Sequence, residues 1–220
     1  MVAYLRAHPA FLDENPDLLL HLLPPAHQHG DSIVDMQRFM IERLQTEIAR
    51  LRLRQHELLD ASRTNLSSQE RVHGAVLKLL EARTFEHLLE TLTDELTGLL
   101  DVDVITLCFE STETVGRRRK LRGLVLLAPG EIDALIGAGR DVLLRDQSKG
   151  DRRLFNTMAD KITSDALVRL TVSRAGPPGL LALGSQTSAR FHPGQGTELL
   201  MFLGGAVARC ARTWLDLPPT

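Results

Sequence analysis

The chain is short of rings, thiols and long apolar runs. One Trp, one Tyr and seven Phe in 220 residues leave few rings to stack on a flat cofactor, so a binding pocket here would be lined mainly by aliphatic side chains. Two cysteines, Cys108 and Cys210, cannot build a disulfide framework and are too few for a cysteine-rich zinc module. No stretch approaches the roughly 18 to 20 apolar residues of a membrane span. The opening MVAYLRAHPAFLDENPD has no basic leader followed by an apolar block and is interrupted by Pro9, Asp13, Glu14 and Pro16, so it does not read as a secretory signal. A cytoplasmic protein with reduced thiols is expected. Charge of one sign is lacking too. Lys and Arg number 26 against 28 Asp and Glu, which excludes a generally basic nucleic-acid coat.

What is present is ordinary for a globular chain, with 43 % hydrophobic and 25 % charged residues. The length suits one compact domain plus an arm. Residues 1–30 read as two short helices. Pro9 breaks the first, and Asn15-Pro16 starts the second with a cap and a proline at the first helical position. A long helix follows Gly30, capped by Asp31 or Ser32, with no Pro or Gly as far as Asn65. Val34, Gln37, Ile41, Leu44, Ile48, Leu51, Gln55, Leu58 and Ser62 alternate three and four apart along it. Ile41 and Ile48 at one heptad position, with Leu44, Leu51 and Leu58 at the other, predict a parallel two-stranded coil, hence a homodimer. Glu47 and Arg52 fall on the flanking charged positions. The alternative is one amphipathic helix packed on its own domain.

Thr64 to Gln69 is a polar joint or a continuing helix. Val72, Val76, Leu79 and Leu80 then mark a helical face, and Thr84 caps an amphipathic helix reaching Leu100. After Asp101 the period changes to two. Ile105, Leu107 and Phe109 line one face of a strand, and Val104, Thr106 and Cys108 the other. Further strands are expected at 121–128, 142–145, 166–172 and 179–184. A short helix is expected at 131–138, a loop with a helical turn at 146–162, and a last helix from Thr197 to Leu217. Hairpin-length connections predict an antiparallel sheet in an α+β domain flanked by helices.

In this order the segments carry a resemblance. From about Val72 to Leu215 the plan resembles a GAF domain. The passage LLEARTFEHLLETLTDELTGLLDVDVITLCFE, the strand pair SDALVRLTV and GLLALGS, and the closing RFHPGQGTELLMFLGGAVARCARTWL carry it. More narrowly, VAYLRAHPAFLDENPDLL, SIVDMQRFMIERLQTE, LFNTMADKITSDALVRL and LLALGSQTSARFHPGQGTELL resemble the bacterial domain-of-unknown-function 484 family over nearly the full length. The resemblance implies a GAF-like domain (residues 67–220) behind a coiled-coil helix (31–66) and short N-terminal helices (1–30). It implies no activity. Relatives usually carry several more residues before the VAYL segment, so the expectation is either a truncated first helix or a start placed too late.

In GAF domains a ligand sits between the sheet and a crossover such as Asp146 to Phe155. The walls of such a pocket would be Thr106, Cys108, Arg145, Phe155, Asn156 and Ser164, with Arg145 available to an anion. The alternative is a filled core. His21, His27 and His29 with Asp31 have metal-ligating side chains but lie in a polar connector, so no metal site is expected. The basic run Arg117, Arg118, Arg119, Lys120 and Arg122 has no interleaved aromatic for base stacking and reads as a solvated hairpin tip. Thr197 in GQGTE reads as a helix cap. No catalytic triad or paired carboxylates appear, and any cofactor is unknown. The expected function is a non-enzymatic regulatory or sensory module, dimerised by its coil and binding a small ligand or a protein. One alternative is a ligand-free adaptor recruiting a partner such as a recombinase or a division factor. A weaker one is a thiol-based redox enzyme.

Overall fold

The computed structural model describes Tyr4, Ala7, His8, Phe11 and residues 31–111, 121–173 and 176–215, with backbone alone at 31–40 and 214–215. The short helices expected over 1–30 otherwise lie outside the described residues. The chain falls into two compact units, residues 1–64 and 65–220. Helix α1, Asp31–Glu81, has its early turns in the first and its late turns in the second. The polar stretch Thr64 to Gln69 is therefore helix rather than joint. Its hydroxyls are accommodated locally: Thr64 Oγ1 donates to the Asp60 carbonyl at 2.9 Å.

In the second unit, α1 ends at Glu81 and α2, Phe85–Glu90, is capped by Thr84, whose side chain accepts from the His87 amide at 3.1 Å. The single helix expected to reach Leu100 is broken by a π-helical turn at Thr91–Glu95 before α3, Leu96–Leu100. Thr93 and Thr97 bond back to carbonyls three and four residues earlier along this stretch. Asp101 then turns left-handed at φ 55°, a conformation Asp tolerates better than most residues. Arg190 Nη2 donates to the Leu100 carbonyl at 2.6 Å, so a cation closes the negative end of the helix.

Five strands follow: β1 Val104–Glu110, β2 Leu124–Leu127, β3 Val142–Arg145, β4 Ser164–Leu170 and β5 Gly179–Ser185. Between them lie α4, Glu131–Ile136, and α5, Arg152–Phe155, which runs into a 3-10 turn at Asn156–Lys161. Helix α6, Glu198–Leu215, closes the domain, and the Thr197 carbonyl accepts its Met201 amide at 2.9 Å, as a cap residue's does. The sheet order is β2-β1-β5-β4-β3. The α+β plan read from the sequence is the one found, with one correction. β1 and β2 run parallel, Leu107 beside Leu124 and Glu110 beside Leu127, so the sheet is mixed rather than antiparallel. Thirteen residues separate Glu110 from Leu124. A parallel pair needs a crossover of a dozen or more, and this connection is that long.

β5 lies in the middle of the sheet, and all seven of its residues are buried. Apolar side chains cover both faces. One face carries Ile105, Leu107, Phe109, Ala166, Val168, Leu181 and Leu183 against Val72, Ala75 and Leu79 of α1, the Leu88–Leu100 helices, and Leu203, Val207 and Ala211 of α6. The other carries Cys108, Leu167, Leu180 and Ala182 against α4, α5 and the 3-10 turn. Each fully buried leucine in these layers contributes about 1.5–3 kcal/mol. Leu80 does not share the buried face of Val72 and Leu79: it is 68 % exposed.

Candidate functional site

The register assigns each pocket residue named from the sequence to a face. Thr106 lies opposite Ala182, which lies opposite Leu167 and then Leu143; Cys108 lies opposite Leu180; Arg145 lies opposite Asp165. Thr106, Cys108 and Arg145 therefore share the face covered by α4 and α5, and Phe155 at the end of α5 packs on it. Ser164 does not join them. It pairs with Ser185, one step out of phase, so it points to the opposite face, where its Oγ donates to the Thr187 carbonyl at 2.7 Å. Asn156 is exposed, at the left-handed junction (φ 47°) between α5 and the 3-10 turn.

The space between this face and its cover is occupied by side chains. Ile132, Ile136, Leu154, Phe155, Ala159 and Ile162 are each 3 % exposed or less. Two glycines show how closely they approach. A Cβ on Gly184 would lie 2.9 Å from Val104 Cγ1, 3.0 Å from Ile162 Cδ1 and 3.1 Å from Phe155 Cε1. A Cβ on Gly150 would lie 2.9 Å from the Ala159 carbonyl oxygen and from Ile162 Cβ. The Ser148 Oγ nearby is buried without a hydrogen-bond partner among the described residues.

Arg145 is engaged from within. Its Nε donates to Asp165 Oδ1 at 2.7 Å and its Nη2 to Oδ2, a two-point pair whose carboxylate is fully buried. The hydrogen bond to Asp165 raises the guanidinium pKa further. Asp165 was not singled out from the sequence. Its link to Arg145, twenty positions away, depends on a strand register that no local pattern encodes.

The cover is tied down at its edges. Asp151 caps α5 through the Arg153 amide at 2.8 Å and grips the Arg153 guanidinium at 2.7 Å. Arg153 also reaches Glu131 at 3.1 Å, while Glu131 accepts from the Ala128 amide and Glu110 from the Ile132 amide at the start of α4. The Asp151 carboxyl is held below its usual range chiefly by the Arg153 hydrogen bond, and Glu131 chiefly by the Ala128 amide. On the far side of the loop, Asp146 Oδ1 accepts from the Ala189 amide at 2.7 Å.

The thiols are poorly placed for chemistry. Cys108 is fully buried, and desolvation pushes its pKa up to about 12. Cys210 is half-buried on α6 and is also shifted up by burial. A nucleophilic or redox cysteine needs the thiolate, which both surroundings disfavour.

Among the described residues no three His, Cys, Asp or Glu side chains converge on a metal position. The His21, His27 and His29 group lies outside the described residues, as do Arg117 to Lys120. Arg122 is exposed and pairs with Asp94 at 3.0 Å. Two surface grooves lie away from the named pocket residues. One, of about 340 Å³, runs between the end of β4 and α6, with Asp141, Arg169, Arg209 and Arg212 around Val168, Gly204 and Ala208. The other, of about 440 Å³, is bounded by His87, Glu90, Asp94, Leu121 and Arg122. In the first unit, Ile41, Leu44, Ile48, Leu51 and Leu58 are all exposed on α1. Among the described residues no helix is long and apolar enough to cross a membrane.

These features define an α+β domain with a mixed five-stranded sheet, preceded by a long helix that carries an apolar seam. The chain belongs to the family described as "Protein of unknown function, DUF484", which it matches over residues 1–216. No curated protein matches it. Among solved structures it is similar to a mutant chromophore-binding domain of the Stigmatella aurantiaca bacteriophytochrome in the Pr state. The identity is 12 % and the TM-score 0.41, over 69 % of this chain and 60 % of that one.

Proposed function

We propose that this protein is a non-catalytic regulatory adaptor that works as a homodimer and presents its surfaces to a protein partner. The seam on α1 carries the reading. Five large aliphatic residues on one heptad seam, spaced three, four, three and seven apart, stand exposed, and water is an unfavourable neighbour for a row of that kind. A second helix laid along it in parallel would bury Ile41, Leu44, Ile48, Leu51 and Leu58 together. The filled face between sheet and α4–α5 supports a domain that reports through surfaces rather than through a bound small molecule. The protonated thiols support a role without cysteine chemistry.

Sedimentation equilibrium on the full chain tests the dimer. The wild type is expected to associate at micromolar concentration, and Ile48→Glu with Leu51→Glu to weaken that association by at least tenfold, since two carboxylates would enter the seam. A wild type that stays monomeric at 100 µM refutes the dimer. Native mass spectrometry tests the adaptor reading separately. A small molecule retained at one copy per chain would replace it with the sensor reading.

A further inference from the structure

Past Arg169, β4 has an edge that none of the five strands covers. β3 is four residues long, and its pairing with β4 ends at Val142 beside Val168. One more bond follows, from the Arg169 amide to the Asp141 carbonyl at 2.8 Å. Just before Asp141 the chain passes Gly137 and Gly139, both at positive φ (94° and 70°), and turns off β4. β4 itself runs on, with Leu170 still paired to Gly179 of β5 on its other side. Main-chain groups on one side of a strand recur every second residue. Arg169 turns its amide toward β3, so the Thr171 N–H and C=O point the same way, past the end of β3. Thr171 is exposed, and neither group has a partner among the described residues.

Helix α6 roofs this edge. A Cβ on Gly204 would lie 2.7 Å from Val168 Cγ1, so the helix rests directly on β4, whereas one on Gly205 would meet nothing within 4 Å. The groove of about 340 Å³ lies between them. Arg209 and Arg212 stand on its α6 wall, one and two turns beyond Gly205, and Asp141 at its β3 end. Arg169 also lines it, with its guanidinium committed to Asp133 at 2.7 Å and to the Gly137 and Arg140 carbonyls. Arg209 is exposed, and no carboxylate pairs with it among the described residues.

We propose that this groove takes an extended, acidic peptide segment of a partner protein, which adds to β4 at Thr171 and sets a carboxylate against Arg209. This rests on the adaptor half of the proposed function and not on the dimer. The bare edge selects an extended backbone, since one peptide residue facing Thr171 would exchange both main-chain bonds with it. Pairing also fixes the side chains. The residue opposite Thr171 shares its face, and the two that flank it turn to the α6 side with Leu170 and Val172, toward Gly205 and Arg209. Charge selects the acid. Two guanidiniums on the α6 wall face one carboxylate, and a charge-assisted bond to Arg is among the stronger contacts a groove can offer. A second copy of the same edge is disfavoured, because its own Arg209 and Arg212 would come against these.

The test follows the amide resonances of the isotope-labelled full-length chain during titration with acetyl-TVEVEVT-amide, whose glutamates share one face, up to about 5 mM. Saturable shifts are expected at Thr171, Gly205 and Arg209. Arg209→Glu should reverse the preference, so that acetyl-TVKVKVT-amide binds roughly tenfold more tightly than the glutamate peptide. Methylating the main-chain nitrogen of the central valine should abolish binding to the wild type, because that nitrogen is the donor to the Thr171 carbonyl. Gly205→Leu, at a position open to solvent, should block the groove with the fold intact by circular dichroism. No saturable shift at these amides, an unreversed preference in Arg209→Glu, or binding retained by the methylated peptide or by Gly205→Leu overturns the inference. So does glutarate shifting the same amides as strongly as the peptide, which would make the groove a small-anion site. None of these outcomes touches the adaptor reading, which a small molecule retained at one copy per chain overturns on its own.

Discussion

Gly184→Ala asks whether the face under α4 and α5 is filled. The added methyl would sit 2.9 Å from Val104 Cγ1, 3.0 Å from Ile162 Cδ1 and 3.1 Å from Phe155 Cε1, where ordinary contacts begin near 3.4 Å. Val104 is β-branched and on a paired strand, so it has little freedom to move. Ile162 and Phe155 offer the ends of longer side chains, which can shift by a few tenths of an ångström. The strain should therefore lie in the lower half of the 1–3 kcal/mol typical of overpacking, about 1–2 kcal/mol. For a domain of this size that lowers Tm by roughly 2–8 °C. Urea unfolding at 25 °C should show an earlier midpoint with the slope unchanged. Phe155→Leu removes one of the three contacts and by itself leaves a cavity, so the double variant should cost less than the sum of the single ones. A coupling of about 0.5 kcal/mol or more in that direction is the signature of a shared space. If Gly184→Ala leaves Tm and the urea midpoint unchanged, the space beside Phe155 is open and the filled face is wrong.

Three further outcomes follow from the same layer. Asp165→Ala leaves the partly buried Arg145 without its two-point partner and should destabilise the domain by about 3 kcal/mol in urea unfolding; a loss under 1 kcal/mol would mean that water replaces the carboxylate freely. Asp103 accepts from the Gln186 amide and side chain and from Ser185, and the Gln186 amide foremost holds its pKa below 3.8. The stability it confers is complete above that ordinary value and is lost as pH falls through the lowered one, so Asp103→Asn should flatten the acid limb of a Tm-against-pH curve and leave its slope near neutrality unchanged. At pH 8 a disulfide reagent should leave Cys108 untouched in the folded protein and titrate it at once in denaturant; prompt reaction of the native thiol would contradict its burial.

Much of this fold was legible because its signals are local. The β5 run Gly179-Leu180-Leu181-Ala182-Leu183 has the length and the uniform apolar character of a strand covered on both sides, and Thr84 three residues before His87 announces a helix start. The parallel pairing of β1 with β2 was not legible. Strand direction depends on where the chain returns after a long connection, and no residue in either strand records it. Ser164 shows how a small boundary error moves a site residue. With β4 begun at Ala166, Ser164 is loop and free to face the pocket. With β4 begun at Ser164, the two-residue period sets it beside Ala166 on the opposite face. Leu79 and Leu80 show the same on a helix, where neighbours diverge by about 100° and only packing decides which is buried.

The same packing decides how a signal could enter this domain. For a small molecule to occupy the space above Thr106 and Cys108, Leu154 and Phe155 must first leave it. Exposing two such side chains costs about 3–6 kcal/mol. A ligand shifts that equilibrium only by its extra affinity for the open form, so its apparent affinity would fall by roughly 10²–10⁴ below that of an open pocket. Arg145 gives an anion no easy return on this, because binding it means displacing Asp165 and leaving a buried carboxylate without its cation. Ile41, Leu44, Ile48, Leu51 and Leu58 face no such opening step. They are already in water, and a protein surface that covers them gains the burial directly. Of the two routes, association at the helical surfaces is favoured by the cost of the alternative as well as by the leucines that line them.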